Sequence, residues 1–191
     1  MSDEGRGLTV MERSGGMHQQ GLVRDSLKRV ISRFRGSVPV REAMERDAPM
    51  CITLALEYLS QSGTAGKVNV SRVSDHIQSL IVADDAAVFL AAEGRSLPVG
   101  MVCCGVIPPE PWEYGETLGV WLLYVIPSQR RRAGILTNLL DQTAQYGRQA
   151  GVSRFRVTVA AEDAKLSRFY ERRLGFTREF QQTIYSLRME V

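Results

Sequence analysis

The run from Val125 through Leu140, VIPSQRRRAGILTNLL, constrains what this chain can fold into more than any other stretch. An apolar, strand-like segment from Leu118 to Ile126 leads into it, and a helix-like segment from Ile135 to Tyr146 leaves it. Pro127 closes the strand, and Arg130, Arg131, Arg132, Ala133 and Gly134 make the turn between the two. The first N–H groups of a helix have no internal partner, and the helix dipole favours negative charge beside them. Gly134 has no Cβ to keep an anion away from the backbone. The arginines add charge and forked donors suited to phosphate oxygens. The run therefore predicts a cradle for a phosphate chain. A basic helix end on a solvated face would look similar, but the proline, the glycine and the Leu139-Leu140 pair favour the cradle.

This stretch resembles the diphosphate-binding motif of the GNAT superfamily of acyl-CoA-dependent N-acyltransferases, whose usual form is V-x-P-x-x-R-x-x-G-x-G/A. Val125 and Pro127 match its valine and proline. Arg131, Arg132, Ala133, Gly134, Ile135 and Leu136 then fill the remainder, with the arginine one residue late and Leu136 in place of the final small residue. A register beginning at Arg130 instead puts Ala133 and Ile135 at the two glycine positions. The Arg131 register also aligns Leu139-Leu140 with the family's leucine pair.

A second segment carries the same resemblance. Residues Val157 to Phe176 read VTVAAEDAKLSRFYERRLGF, similar to the family pattern N-x-x-A-x-x-F-Y-x-x-x-G-F. Asp163 stands at the asparagine, Leu166 at the alanine and Phe169-Tyr170 at the aromatic pair, while Gly175-Phe176 arrive after one extra residue. Alternation predicts a strand over Phe155 to Ala160. A helix should follow through Arg173, with Asp163 as N-cap and Gly175 as its stop. The resemblance implies Tyr170 as the general acid that protonates a leaving thiolate, which needs only a weak, well-placed donor. Phe169 reads as a core aromatic.

The chain has 191 residues, 44% of them hydrophobic and 24% charged, so it is long enough for one domain with a substantial core. No apolar run approaches a membrane span, and the N-terminal MSDEGRGLTVMERSGG is too polar for a signal peptide. A net charge of +3 is too mild to argue for nucleic acid. Cys51, Cys103 and Cys104 give an odd count, and adjacent residues on a strand face opposite ways. With His18 and His76 as the only histidines and no C-x-x-C, a metal site has almost no support. A reducing cytoplasm is the default expectation.

Residues 1–20 are polar and Gly-rich. A basic amphipathic helix is expected over Leu22 to Phe34, within an extension spanning 21–37 that packs on the domain or on a second subunit, so a homodimer is one option. From 38 to 191 the reading is a single domain. A short strand over Val38 to Val40 opens it, and Asp47 heads an apolar-periodic helix to Leu59. A second helix covers Val70 to Val82, with Ser71 and Ser74 among its possible caps. Strands over Ala87 to Glu93 and Pro98 to Ile107 flank Gly94-Arg95-Ser96-Leu97, the spacing of a hairpin. A last strand is expected over Phe180 to Met189. The order β-α-α-β-β-β-α-β-α-β matches the GNAT layout. The resemblance implies an α/β (α+β) architecture, a mixed central sheet of six to seven strands with flanking helices.

The implied activity is transfer of an acetyl group from acetyl-CoA to an amine, on a small molecule or a peptide, through a tetrahedral intermediate. The family splays its fourth and fifth strands, which implies backbone contacts from Leu123, Tyr124 and Val125 to the pantetheine arm. An N–H near Val125 would be the oxyanion donor, with a bulge exposing these groups. Many relatives carry a glutamate on the fourth strand about four residues before the motif valine, where this chain has Trp121. Glu116, Glu113, a water relay or His76 remain as proton acceptors. The loop from Pro108 to Glu116, with Trp112 and Tyr114, suits a cationic amine or is a stiff surface loop in equal measure. The competing class is a catalytically silent module of this fold that binds CoA or a protein partner. A nucleotide-binding protein is disfavoured, since neither G-x-x-x-x-G-K-[ST] nor G-x-G-x-x-G occurs.

Overall fold

The computed structural model describes residues 38–62, 68–92, 97–109, 111, 115–152, 154–158, 164–174 and 176. Strand β1 (Val40–Glu42) is followed by a 3-10 turn (Glu45–Asp47), helices α1 (Ala48–Gln61) and α2 (Val70–Val82), and strands β2 (Ala86–Ala91), β3 (Gly100–Ile107) and β4 (Thr117–Val125). A 3-10 turn (Pro127–Gln129) then leads to α3 (Ala133–Gln149), β5 (Arg154–Val157), α4 (Ala164–Phe169) and a π-helical turn (Tyr170–Leu174). The sheet is mixed and has five strands among the described residues, in the order β1-β2-β3-β4-β5, with β4 and β5 parallel and the other pairs antiparallel. This is fewer than the six to seven expected. The strand expected over Phe180 to Met189 and the helix over Leu22 to Phe34 lie outside the described residues.

Helices cover both faces of the sheet. Cys51, Leu54 and Ala55 of α1 and Ile77 and Leu80 of α2 pack on Val88, Leu90, Met101 and Cys103. Ile135 and Leu139 of α3 pack on Phe89, Val102, Cys104 and Leu118 on the other face. Cys103 and Cys104 thus do point to opposite faces, and all three thiols are free and buried. Burial pushes Cys51 and Cys104 up to about 12, so neither is a thiolate near neutral pH. The α3 helix lies close on the sheet because Gly147 and Gly100 leave it room. A Cβ at Gly147 would stand 2.7 Å from Leu118 Cδ2, and one at Gly100 would meet Tyr124 O at 3.0 Å and Leu139 Cδ1 at 3.2 Å.

Two local expectations are corrected. The first strand begins at Val40 rather than Val38, because Val38 is a core residue whose carbonyl accepts from Asn138 Nδ2 at 3.2 Å. The cap of α2 is Asn69, whose side chain accepts from the Arg72 N–H at 3.1 Å, and neither serine serves. Asparagine in extended conformation before the first helical residue is a strong N-cap in its own right.

Arg41 grips Asp47 with both guanidinium arms, at 2.6 and 2.8 Å, and Asp47 also accepts from the Met44 N–H at 2.9 Å. The Arg41 hydrogen bond, chiefly, holds the Asp47 carboxyl down to about 2. A depressed acid stabilises the fold above its unfolded pKa near ~3.9 and loses that contribution as pH falls through the folded value. Asp47→Asn is therefore expected to cost on the order of 1 kcal/mol at neutral pH, with Arg41 half in solvent. The difference from wild type should shrink between about pH 4 and 2 in thermal melts. A gap that stays constant down to that acidity would show that the ionisation of Asp47 contributes nothing to stability.

Candidate active site

The most consequential irregularity of the sheet lies in β4. Cys103 pairs with Leu122 and Cys104 with Val120, so Trp121 is an extra residue with no partner in β3. This is a β-bulge, and it reverses the strand's alternation. Before it, Leu118 and Val120 face α3; after it, Leu122 and Tyr124 face α1 and α2, and Leu123 and Val125 face α3. At the same point the described pairing with β5 ends. Its parallel pairing with β4 runs from Thr117 opposite Arg154 to Val120 opposite Val157, while β4 itself continues to Val125.

Among the described residues the end of β4 is thus paired on one side only. The Ile126 N–H donates to Val99 O at 3.0 Å, so the backbone groups of Ile126 and Tyr124 face β3. By alternation those of Leu123 and Val125 face the opposite side, the one on which β5 pairs earlier in the strand. Val125 O accepts from Arg130 Nε at 2.9 Å. The Val125 N–H and both Leu123 backbone groups have no ladder partner among the described residues. Tyr124, grouped with them in the sequence reading, has its backbone paired to Met101 and its ring turned to α1.

The turn into α3 is built as a succession of tight bonds. Gln129 N–H reaches Ile126 O, Arg132 N–H reaches Gln129 O and Ile135 N–H reaches Arg132 O, at 2.9 to 3.0 Å. The amides of Arg131 and Gly134 find no carbonyl among the described residues. Arg131 and Arg132 are exposed, Gly134 is buried at the second helical position, and Ile135 is buried against the sheet. Arg132 Nη1 donates to Gln129 Oε1 at 3.3 Å. The backbone of Ala133 opens the helix. Leu136 leans the other way, into a cluster with Leu123, Leu140, Tyr170 and Leu174.

That cluster brings Tyr170 to the opening. The tyrosine is 4% exposed, edge-on to Phe169 at 5.9 Å and to Phe176 at 5.3 Å, and shares its cluster with Leu123 of β4 and Val157 of β5. The extra residue between the aromatic pair and Gly175-Phe176 is absorbed in the π-helical turn Tyr170–Leu174, whose hydrogen bonds span one residue more than those of an α-helix. The Phe176 N–H closes that turn on Tyr170 O at 3.1 Å. Beyond Val120, then, β4 has no β5 partner among the described residues, and this stretch lies beside a helix end with spare donors and a buried tyrosine. The model of the acetyltransferase (GNAT) family matches residues 54–176, most of the chain.

The chain belongs to the GNAT acetyltransferase family.

Solved structures with the same fold include the aminoglycoside acetyltransferase AAC(6')-Iy in complex with a CoA-S-monomethyl-acetylneamine bisubstrate analogue. It is 16% identical, with a TM-score of 0.64, 80% of this chain and 99% of that one covered. The aminoglycoside 6'-N-acetyltransferase AAC(6')-IG from Acinetobacter haemolyticus is 18% identical, with a TM-score of 0.61 over 80% and 99% of the two chains. A protein from Arthrobacter sp. FB24 is 26% identical, with a TM-score of 0.62 over 81% and 97%. No curated protein matches the sequence. At the lower identities the likeness is one of fold. No helix among the described residues is long and apolar enough to cross a membrane.

Of the other residues expected at the GNAT site, Glu116 is exposed just before β4; Leu123 is about 20 Å further along at the usual rise of a strand. His76 is exposed on α2. Trp121 fills the bulge, 47% exposed, its ring lying where a Cβ on Gly105 would stand 2.6 Å from Cη2. Asp163, Glu113, Trp112 and Tyr114 lie outside the described residues.

Sequence reasoning missed the polar group around the Tyr124 hydroxyl. Gln61 Nε2 donates to it at 2.7 Å, Tyr58 sits edge-on to its ring at 6.1 Å, and burial, then Glu57, raises its pKa. Glu57 and Gln61 are one helical turn apart on α1, so a shared target was legible, but not which one.

Proposed function

We propose that this protein transfers an acetyl group from acetyl-CoA to a primary amine by direct attack of the amine on the thioester carbonyl. The observation that carries the reading is the bulge in β4, at which the described pairing with β5 ends, beside an α3 N-terminus with spare amides. The donor set suits the co-substrate. Arg131, Arg132 and the amides of Arg131 and Gly134 would hold the diphosphate, where positive charge and the α3 dipole add. The Leu123 backbone and Val125 N–H offer the pantetheine arm the bonds a neighbouring strand would make. Bound there, acetyl-CoA supplies an activated acyl group and a good leaving group.

The protein's own contribution is positioning and electrostatics. The Val125 N–H would stabilise the oxyanion as the carbon–nitrogen bond forms. Tyr170 would give its proton to the sulfur as the carbon–sulfur bond breaks, with Asp163 expected at the head of the same helix. No carboxylate stands on β4, so the ammonium proton would leave through water, with Glu116 too far along the strand to take it directly. Holding both reactants in line is worth roughly 7–11 kcal/mol, enough for turnover without a dedicated base. Three buried free thiols suit a reducing, cytoplasmic setting.

Acetyl-CoA titration by calorimetry, followed by a CoA-release assay with polyamines, aminoglycosides, amino acids and peptides, tests the reading. Binding with sustained CoA release for one class is expected. Binding with no release across the panel would instead favour the silent module, for which Trp121 at the usual glutamate position is the main argument. No binding would remove both.

A further inference from the structure

The three arginines of the turn do not act alike. Arg130 Nε donates to Val125 O at 2.9 Å, and its Nη2 donates to Gln61 Oε1 at 2.6 Å. Its Cζ lies 5.6 Å from the ring centroid of Tyr124, whose hydroxyl accepts from the same Gln61 at 2.7 Å. Arg130, Gln61 and Tyr124 thus close a ring of contacts joining the turn, α1 and β4. Arg131, by contrast, makes no side-chain contact among the described residues.

The carbonyl that Arg130 takes is the last of β4, on the side away from β3, where no strand partner lies among the described residues. The peptide joining Val125 to Ile126 is then held from both sides, by Arg130 at its oxygen and by Val99 at its N–H. The guanidinium occupies one acceptor where a neighbouring strand would sit and leaves the Val125 N–H open beside it. A planar fork suits this task, since one arm satisfies the backbone while another reaches α1. We infer that Arg130 is a positioning residue that fixes the open end of β4 for the thioester carbonyl, and not a ligand of the diphosphate. This rests on the acetyl-CoA reading above.

The test uses the full-length protein and [1-13C]acetyl-CoA, with calorimetry at several salt concentrations and infrared detection of the bound thioester carbonyl. Arg131→Ala removes a phosphate ligand. Its affinity should fall roughly tenfold or more, the worth of one charge-assisted bond, with a weaker salt dependence and an unchanged carbonyl band. Arg130→Lys and Gln61→Ala should keep affinity within about threefold and keep the wild-type salt dependence, as loss of positioning leaves uniform binding intact. In both, the carbonyl band should move back toward that of free acetyl-CoA, and ethylguanidinium should restore it in Arg130→Ala. An unmoved band in Arg130→Lys and Gln61→Ala, or a salt dependence in Arg130→Ala as weak as in Arg131→Ala, overturns the inference while leaving the function standing. Absence of wild-type binding overturns both.

Discussion

Gly134→Glu is expected to abolish acetyl-CoA binding while leaving the protein folded. Gly134 is the second residue of α3, with an ordinary helical backbone, so it is not needed for a turn. Its proposed value lies in an amide that an anion can approach. A glutamate there puts a side chain over that amide and a negative charge where the diphosphate would lie. Two charge-assisted bonds of about 1.5–3 kcal/mol each are at stake, so affinity should fall at least ~100-fold before repulsion is added. Helix formation itself should not suffer, because glutamate has the higher helix propensity and an acidic residue in the first turn complements the dipole. Calorimetry on Gly134→Glu and Gly134→Ala, with melting curves for both, separates the cases. Native-like melting with wild-type affinity in Gly134→Glu would take the α3 turn out of the binding site.

Much of the frame behind that expectation was legible beforehand. The α1 and α2 spans came from apolar residues at helical spacing, and the β2–β3 hairpin from the short polar break around Gly94. The β4-turn-α3 unit was marked by Pro127 and by the change from a continuous apolar run to helical periodicity. Each is a local signal within a dozen residues, where periodicity and turn chemistry are strongest.

What could not be read depends on contacts between distant segments. Leu118-Gly-Val-Trp-Leu-Leu-Tyr-Val125 is apolar almost throughout, so nothing in it shows where the alternation reverses. The bulge was expected somewhere on this strand, yet its seat at Trp121 is fixed by how β4 pairs with Cys103 and Cys104. Arg130 reads as one of three equivalent cations, and only the fold brings Gln61, on α1, within 2.6 Å of it. Glu116 illustrates the limit of reading along a strand. It is the carboxylate nearest in sequence to the expected base position, but an extended strand carries it far from Leu123. Sequence proximity along a strand is spatial distance.

The second large effect is expected at Tyr170. Replacing it with phenylalanine keeps the ring among Phe169, Phe176, Leu140 and Leu174 and removes only the hydroxyl. Packing and acetyl-CoA affinity should therefore change little, whereas protonation of the leaving sulfur loses its donor. General-acid catalysis is worth about 10²–10⁴-fold, and a thiolate leaves readily enough that the lower end applies, so a fall in kcat of roughly 100-fold is expected with Kd nearly constant. An acceptor delivering its own proton to the sulfur would instead give a wild-type rate, and that outcome would return Tyr170 to the role of a core aromatic. Leu174→Ala provides the contrast. It disturbs the same cluster from the neighbouring side, and as a buried leucine truncation should cost about 2–5 kcal/mol of stability. If Leu174→Ala lowers kcat as much as Tyr170→Phe at a temperature where it is folded, the hydroxyl has no special part. If only Tyr170→Phe does, the proton passes through that oxygen, beside the bulge at which the described β4–β5 pairing ends.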